Sequence, residues 1–134
     1  MISNPKHGWC NFKLGNFEGT PSYSTDVPFE LLQAFIDYHE RGGSAIVFDE
    51  EGTEFTLVLT SYFMDIYIIE NRGTAVLYDF YKMRIEDLEK ELISDIENDL
   101  YGWAEFCFDN DDETIKFRRE QLLQKIACLK KYIK

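Results

Sequence analysis

The chain is poor in the residues from which most active sites are made. It holds two histidines, His7 and His39, and three cysteines, Cys10, Cys107 and Cys128. The cysteines are odd in number and share no C-x-x-C spacing, so they read as reduced core thiols of a cytosolic protein. G-x-S-x-G, P-loop, H-E-x-x-H and G-x-G-x-x-G patterns are all missing, and with them the usual sequence marks of a catalytic or phosphate-binding site. No apolar run approaches about 18 residues, and the opening MISNPKHGWC lacks the apolar region of a secretory leader. A cytoplasmic protein that does not insert into a membrane is the expectation. Positive charge is scarce as well: 14 Lys and Arg stand against 25 Asp and Glu, a formal net charge of −11 with a pI near 4.5. That balance disfavours nucleic acid as a direct partner, because phosphate binding works through counterion release by Lys and Arg. A basic protein is the better match.

What the chain does have is apolar and aromatic mass, 45% and 16% of its residues. This suffices for a packed core, and 134 residues is a one-domain length. Residues 1–134 therefore read as a single domain, mainly sheet plus one helix over 1–83 and helical over 84–134. Acid is placed unevenly within it. Residues 84–113 contain twelve acids and two bases, formally −10, whereas residues 116–134 carry seven bases and one acid, formally +6. An acidic amphipathic segment followed by a basic one is either a self-complementary helix pair or a surface built for a basic partner.

Taken in order, residues 1–7 read as a loose lead-in. Residues 9–14 alternate, Gly15-Asn16 supplies a turn, and Phe17 opens a second extended run towards Tyr23, which is the pattern of a hairpin. Gly19 and Pro21 put that second run at a sheet edge or in a bulge. Thr25-Asp26-Val27-Pro28 signals a helix start. Leu31, Leu32, Phe35, Ile36 and His39 follow at helical spacing, and Gly42-Gly43 ends a helix over 27–41. Residues 45–48, 54–60, 64–69 and 74–81 are strands joined by short turns at 49–52 and 70–73, which implies an antiparallel meander. After Lys82 the period lengthens, and Ile85, Leu88, Leu92, Ile93, Ile96 and Leu100 form one stripe of a helix that Gly102 kinks or ends. Residues 109–113 break the pattern. A final helix turns Ile115, Leu122, Leu123, Ile126, Leu129 and Ile133 inward. The expected fold class is α+β: an antiparallel meander sheet with an N-terminal hairpin, one early helix and a C-terminal helical hairpin.

Most acids of the long acidic helix lie off its apolar stripe, but Glu89 and Asp99 fall inside that sector. Either the helix packs shallowly or frays and leaves both solvated, or they line a groove offered to a cationic partner, since a buried unpaired carboxylate is costly. The run Asp109-Asn110-Asp111-Asp112-Glu113 invites a calcium-loop count, yet Thr114 stands where the sharp turn needs Gly. Capping of the final helix explains the same residues, so no metal is expected. His39 reads as a core or boundary residue. His7 and Cys10 are close in sequence but have no orienting third group, so neither a catalytic residue nor a cofactor is expected. Tyr62, Phe63, Tyr67, Tyr78, Phe80 and Tyr81 are chiefly sheet packing, with any outward Tyr suited to a protein interface.

Trp9-x-x-Phe12-x-Leu14-Gly15-x-Phe17-x-Gly19-x-x-Ser22-Tyr23-x-Thr25-Asp26-Val27-Pro28, running into Leu31-Leu32-x-Ala34-Phe35, resembles small bacterial immunity proteins of polymorphic and contact-dependent growth inhibition toxin systems. Phe48-Asp49-x-Glu51-Gly52 and Trp103-x-x-Phe106-x-x-Asp109 are similar in style, so the likeness spans most of the chain on motifs that are structural in character. The resemblance implies a cytosolic protein that binds the C-terminal domain of one cognate toxin and blocks it without catalysis. Acidic composition agrees in direction, because charge complementarity speeds and selects the encounter with a basic, nuclease-type toxin. The resemblance carries no residue-level binding map. Charge density alone selects Glu91, Asp95, Asp99, Asp109, Asp111, Asp112 and Glu113 as partner-binding candidates. The alternatives are an acidic adaptor or nucleic-acid mimic that regulates a host protein, and an enzyme with an unrecognised site. A strand edge near residues 9–23 would serve a homodimer or a toxin equally well.

Overall fold

Period-two patterning early in the chain and helical patterning late in it build an α+β fold of two antiparallel sheets and four helices. The computed structural model describes residues 1–62, 65–109 and 111–133. Phe63, Met64, Asn110 and Lys134 lie outside the described residues, and with them the expected start of the 64–69 strand.

The smaller sheet has the order β1-β2-β3, with β1 at Ile2–Lys6, β2 at Trp9–Leu14 and β3 at Phe17–Gly19. The expected hairpin is β2 and β3, turned at Gly15 with φ +56°, and β3 lies at the sheet edge. Residues 1–7 are not a loose lead-in: Ile2 pairs with Phe12 and Ser3 with Asn11. Only Ile2 of β1 is buried, so the strand shows no apolar alternation to read.

Helix α1, Val27–Arg41, begins with Pro28 in its first turn and ends at Gly42, whose left-handed φ of 84° lets its N–H reach the Tyr38 carbonyl. The larger sheet follows as the expected meander, β4 (Gly43–Asp49), β5 (Glu54–Thr60), β6 (Ile66–Asn71) and β7 (Ala75–Asp79), in that spatial order. Its inner face buries Ile46, Phe48, Phe55, Leu57, Leu59, Ile66 and Ile68. Phe12 and Phe17 of the smaller sheet interlock with Phe48 and Phe55, with ring centroids 5.2 Å apart for Phe12 and Phe48 and 4.9 Å for Phe17 and Phe55. Each such ring contributes about 1.5–3 kcal/mol through burial alone. Glycine ends β3 for a steric reason: a Cβ on Gly19 would sit 2.5 Å from Phe55 Cε1.

Three helices complete the chain: α2 (Ile85–Asn98), α3 (Leu100–Glu105) and α4 (Asp112–Lys130). Ile85, Leu88, Leu92, Ile93 and Ile96 of the expected stripe are buried on α2, whereas Leu100 falls beyond it, at the start of α3, and is partly buried. The break comes at Asp99 rather than Gly102, because Asp99 leaves helical geometry and its carboxylate accepts the Gly102 N–H at 3.1 Å, capping α3. Leu123, expected inward, is exposed; Leu122 holds the core position with Ile126 and Leu129, and the next residue is rotated about 100° away. Helix α1 packs on β4 and α4, and α3 packs on α4. No helix among the described residues is long and apolar enough to cross a membrane.

Candidate functional site

The acids of residues 84–113 fall into different settings. On α2, Asp95 Oδ2 accepts the Met1 ammonium at 2.8 Å and the Ile2 N–H at 3.0 Å, and Glu91 takes the same ammonium. These two candidates tie β1 to α2. Glu89 is neither solvated nor unpaired. It is 1% exposed and meets His39 Nε2 of α1 at 2.5 Å, with burial pushing its carboxyl up and His39 pulling it back down. Asp99 is exposed and spends one oxygen on the α3 cap.

The other four candidates meet at the turn between α3 and α4. Asp111 caps α4 by accepting the Thr114 N–H at 2.8 Å, and that bond holds its carboxyl below the usual range. Asp112 and Glu113 occupy the first turn of α4, where the helix dipole favours them, and both are exposed, as is Asp109. Among the described residues no three His, Cys, Asp or Glu side chains are grouped as metal ligands would be.

Around this turn stand aromatic residues that charge density does not reveal. Phe108 is 84% exposed, Phe117 is 61% exposed, and Tyr101 projects from α3. Phe108 stacks on Tyr23 with the ring planes 7° apart. Sequence held a signal for Phe117, which lies off the stripe of Ile115, Leu122, Ile126 and Leu129, but none for Phe108. A cleft of about 610 Å³ opens beside Phe108, walled also by Lys6, His7, Tyr23, Glu105 and Cys107 among others. Burial pushes the Cys107 thiol up, and it points at the Ala104 and Asp109 carbonyls, which is the opposite of an activated nucleophile. Cys10 is buried, its thiol pushed up to about 12.

The basic helix does not neutralise the acidic stretch. Among the described residues one exposed ion pair joins them, Glu97 to Lys130 at 3.4 Å. Arg118 of α4 turns inward instead. It forms a two-pronged pair with Asp26 at the start of α1, at 2.8 and 3.1 Å, and donates to the Ala104 carbonyl at 2.8 Å and the Phe106 carbonyl at 3.1 Å. Lys125 goes to Gln33 of α1. The self-complementary helix pair is therefore not how this charge is used.

A second cleft, of about 500 Å³, lies where the end of α1 meets residues 81–89 and Tyr132, with Tyr38, His39, Lys82, Arg84 and Glu89 in its wall. Tyr132 stacks on the His39 ring at 4.8 Å and donates its hydroxyl to Glu40 at 3.0 Å. No family model, curated protein or solved structure matches the chain.

Proposed function

We propose that this chain is an immunity-type inhibitor, which binds a basic, nuclease-type toxin domain through the turn between α3 and α4 and blocks it without catalysis in the cytoplasm. The observation that carries this reading is the acid left over after internal pairing. Asp109, Asp112 and Glu113 face solvent beside Phe108 and Phe117, while the basic helix spends Arg118 and Lys125 on other elements. Aromatic anchors surrounded by charge have the composition of a binding hot spot. Carboxylates steer a basic partner in and take the place of phosphate over its cleft, and the rings supply the desolvated contact that holds it. The resemblance of residues 9–35 to immunity proteins supports the same class; those residues lie in β2, β3 and α1, so the likeness is one of scaffold.

The test is co-expression of the toxin domain encoded immediately upstream, followed by affinity measurement. Rescue of growth by this protein, with D112K/E113K weakening the complex at least about tenfold, is the expected result. Asp111 is left in place because it caps α4. No rescue, or unchanged affinity in the double variant together with F117A, overturns the reading. An adaptor for several basic proteins would lose its affinity steeply in salt, whereas an inhibitor with a desolvated centre retains it.

The His39 and Glu89 contact in the second cleft favours a different reading, an enzyme using this pair as its acid and base. The H39A variant separates the two, since an inhibitor bound through the α3–α4 turn keeps its affinity without His39.

A further inference from the structure

The two edges of the larger sheet are treated differently. At β4 the edge is covered towards its end. The Asp49 carbonyl accepts the Ser22 N–H at 2.8 Å, the Asp49 N–H reaches Thr25 Oγ1 at 2.9 Å, and the Val47 carbonyl accepts the Thr25 hydroxyl at 3.4 Å, while further back the Ser44 side chain ties the strand to the Ala34 carbonyl of α1 at 2.7 Å. At β7 nothing comparable occurs among the described residues. Phe80 N–H bonds the Ile66 carbonyl at 2.9 Å, which sets the alternation along the ladder. Val76 and Tyr78 then face β6 with their main-chain groups, and those of Ala75, Leu77 and Asp79 point off the sheet.

Strands left at an edge are normally guarded by Lys, Pro, a bulge or brevity. β7 has none of the first three: its sequence is Ala75-Val76-Leu77-Tyr78-Asp79, with regular pairing to β6 throughout. Instead it carries exposed apolar residues on both faces, Leu77 at 64% and Val76 at 40%. Leu77 also ends a cross-strand row of Val47, Thr56, Ile69 and Leu77 on the uncovered face of the sheet.

We propose that this edge pairs with a second copy of itself, β7 against β7 in antiparallel register centred on Leu77, to make one continuous eight-stranded sheet across a two-fold axis. The register follows from the strand's own order. Leu77 meets Leu77, Val76 meets Tyr78, and Ala75 meets Asp79. The outward main-chain groups of Ala75, Leu77 and Asp79 then form about six hydrogen bonds. No acid faces an acid. The two Asp79 side chains sit four residues apart along the strands, roughly 14 Å, beyond the screening length of about 10 Å at 0.1 M salt. The apolar row becomes continuous through Leu77 into the partner's Ile69 side of the sheet. A foreign strand would gain the same main-chain bonds, but the second copy also brings the matching exposed row of Val47, Ile69 and Leu77 on the same face of the sheet, and that singles it out. The smaller sheet is no competitor: β3 has three residues, with its Glu18 carbonyl accepting from Arg72 at 3.1 Å and the Thr20 N–H after it bonded to Glu50 at 2.9 Å, and β1 carries Pro5, Lys6 and a break in register.

Sedimentation velocity over a wide concentration range, at low and high salt, tests this together with amide exchange on the full chain. A monomer–dimer equilibrium is expected. It should strengthen with salt, since each copy carries −11, and this is the opposite sign to the binding of a basic partner. The amides of Ala75, Leu77 and Asp79 should slow at least about tenfold as the dimer fills, because only the second copy covers them. L77K places an edge lysine at an exposed position and should leave a monomer with unchanged circular dichroism. A chain that stays monomeric at both salts, a dimer in which those three amides remain open, or a dimer that survives L77K overturns the proposal. Protection of the same amides only on adding the toxin domain also overturns it, and assigns the edge to a partner strand.

Discussion

Arg118 is the residue whose removal should cost this fold most among the charged side chains. Its guanidinium is 13% exposed, lies 4.8 Å over the Phe29 ring, and reaches two destinations at once. One is the Asp26 carboxylate, 38% exposed; the other is the carbonyl end of α3, through Ala104 and Phe106. The last carbonyls of a helix have no partner within it, so R118M takes the donor from the Phe106 carbonyl and leaves the Ala104 carbonyl with only the weak Cys107 thiol, beside buried Trp103. A half-exposed partner such as Asp26 is solvated again when the arginine goes, and that pair is worth about 0–1 kcal/mol. Charged hydrogen bonds to the carbonyls are worth about 1.5–3 kcal/mol each but do not add in full. We expect a loss of about 2–4 kcal/mol, which for a chain of this length lowers the melting temperature by roughly 8–15 °C. R118K keeps the charge without the fork and should recover less than half of the loss. Urea unfolding of R118M, D26N and the double variant gives the apportionment, with an unchanged m-value as the sign that the comparison is sound. A loss below about 1 kcal/mol in R118M would refute the carbonyl account. So would a D26N variant as damaged as R118M, since the ion pair would then carry the stability.

Two further outcomes follow from local geometry. G19A pushes a Cβ to 2.5 Å from Phe55 and should destabilise by about 1–3 kcal/mol, visible in thermal unfolding; an unchanged midpoint would mean that the Phe cluster yields freely. Burial raises the Glu89 carboxyl above its ordinary 4.5, so the folded protein holds a proton that the unfolded chain releases. The stability tied to that proton is full below about pH 4.5 and is lost as pH rises through the folded value. E89Q stays neutral throughout and should gain on the parent from pH 4 towards pH 7, measured as urea midpoints; a difference that does not change with pH refutes the assignment.

Several elements are legible from neighbouring residues alone. The α1 span is the expected 27–41, because Pro28 and the left-handed Gly42 are local signals that act within one turn of where they stand. The meander is legible because each strand is bounded by its own turn residues, and the stripe of α2 because a helical face repeats within a few residues. The candidate site is legible in part. Asp111 as a cap and the density of acid at residues 109–113 are properties of neighbours in sequence. Which acids stay free is not such a property. Glu91 and Asp95 are drawn off by the first strand, and Glu89 by a histidine 50 residues earlier.

Composition and periodicity by themselves determined the class of this protein: an acidic α+β chain with a phenylalanine-rich core, a helix at 27–41 and an acidic turn before the last helix. Tertiary structure alone decided how the charge is used. It sent Arg118 to Asp26, 92 residues away, instead of to the acids beside it in sequence. It also made β1 a strand, covered the Asp49 end of β4 and, among the described residues, left β7 without cover. The physical reason is that helix and strand signals are short-range, set by dihedral preference and spacing. Pairing of charges and edges depends instead on which surfaces the packed core brings within a few ångströms.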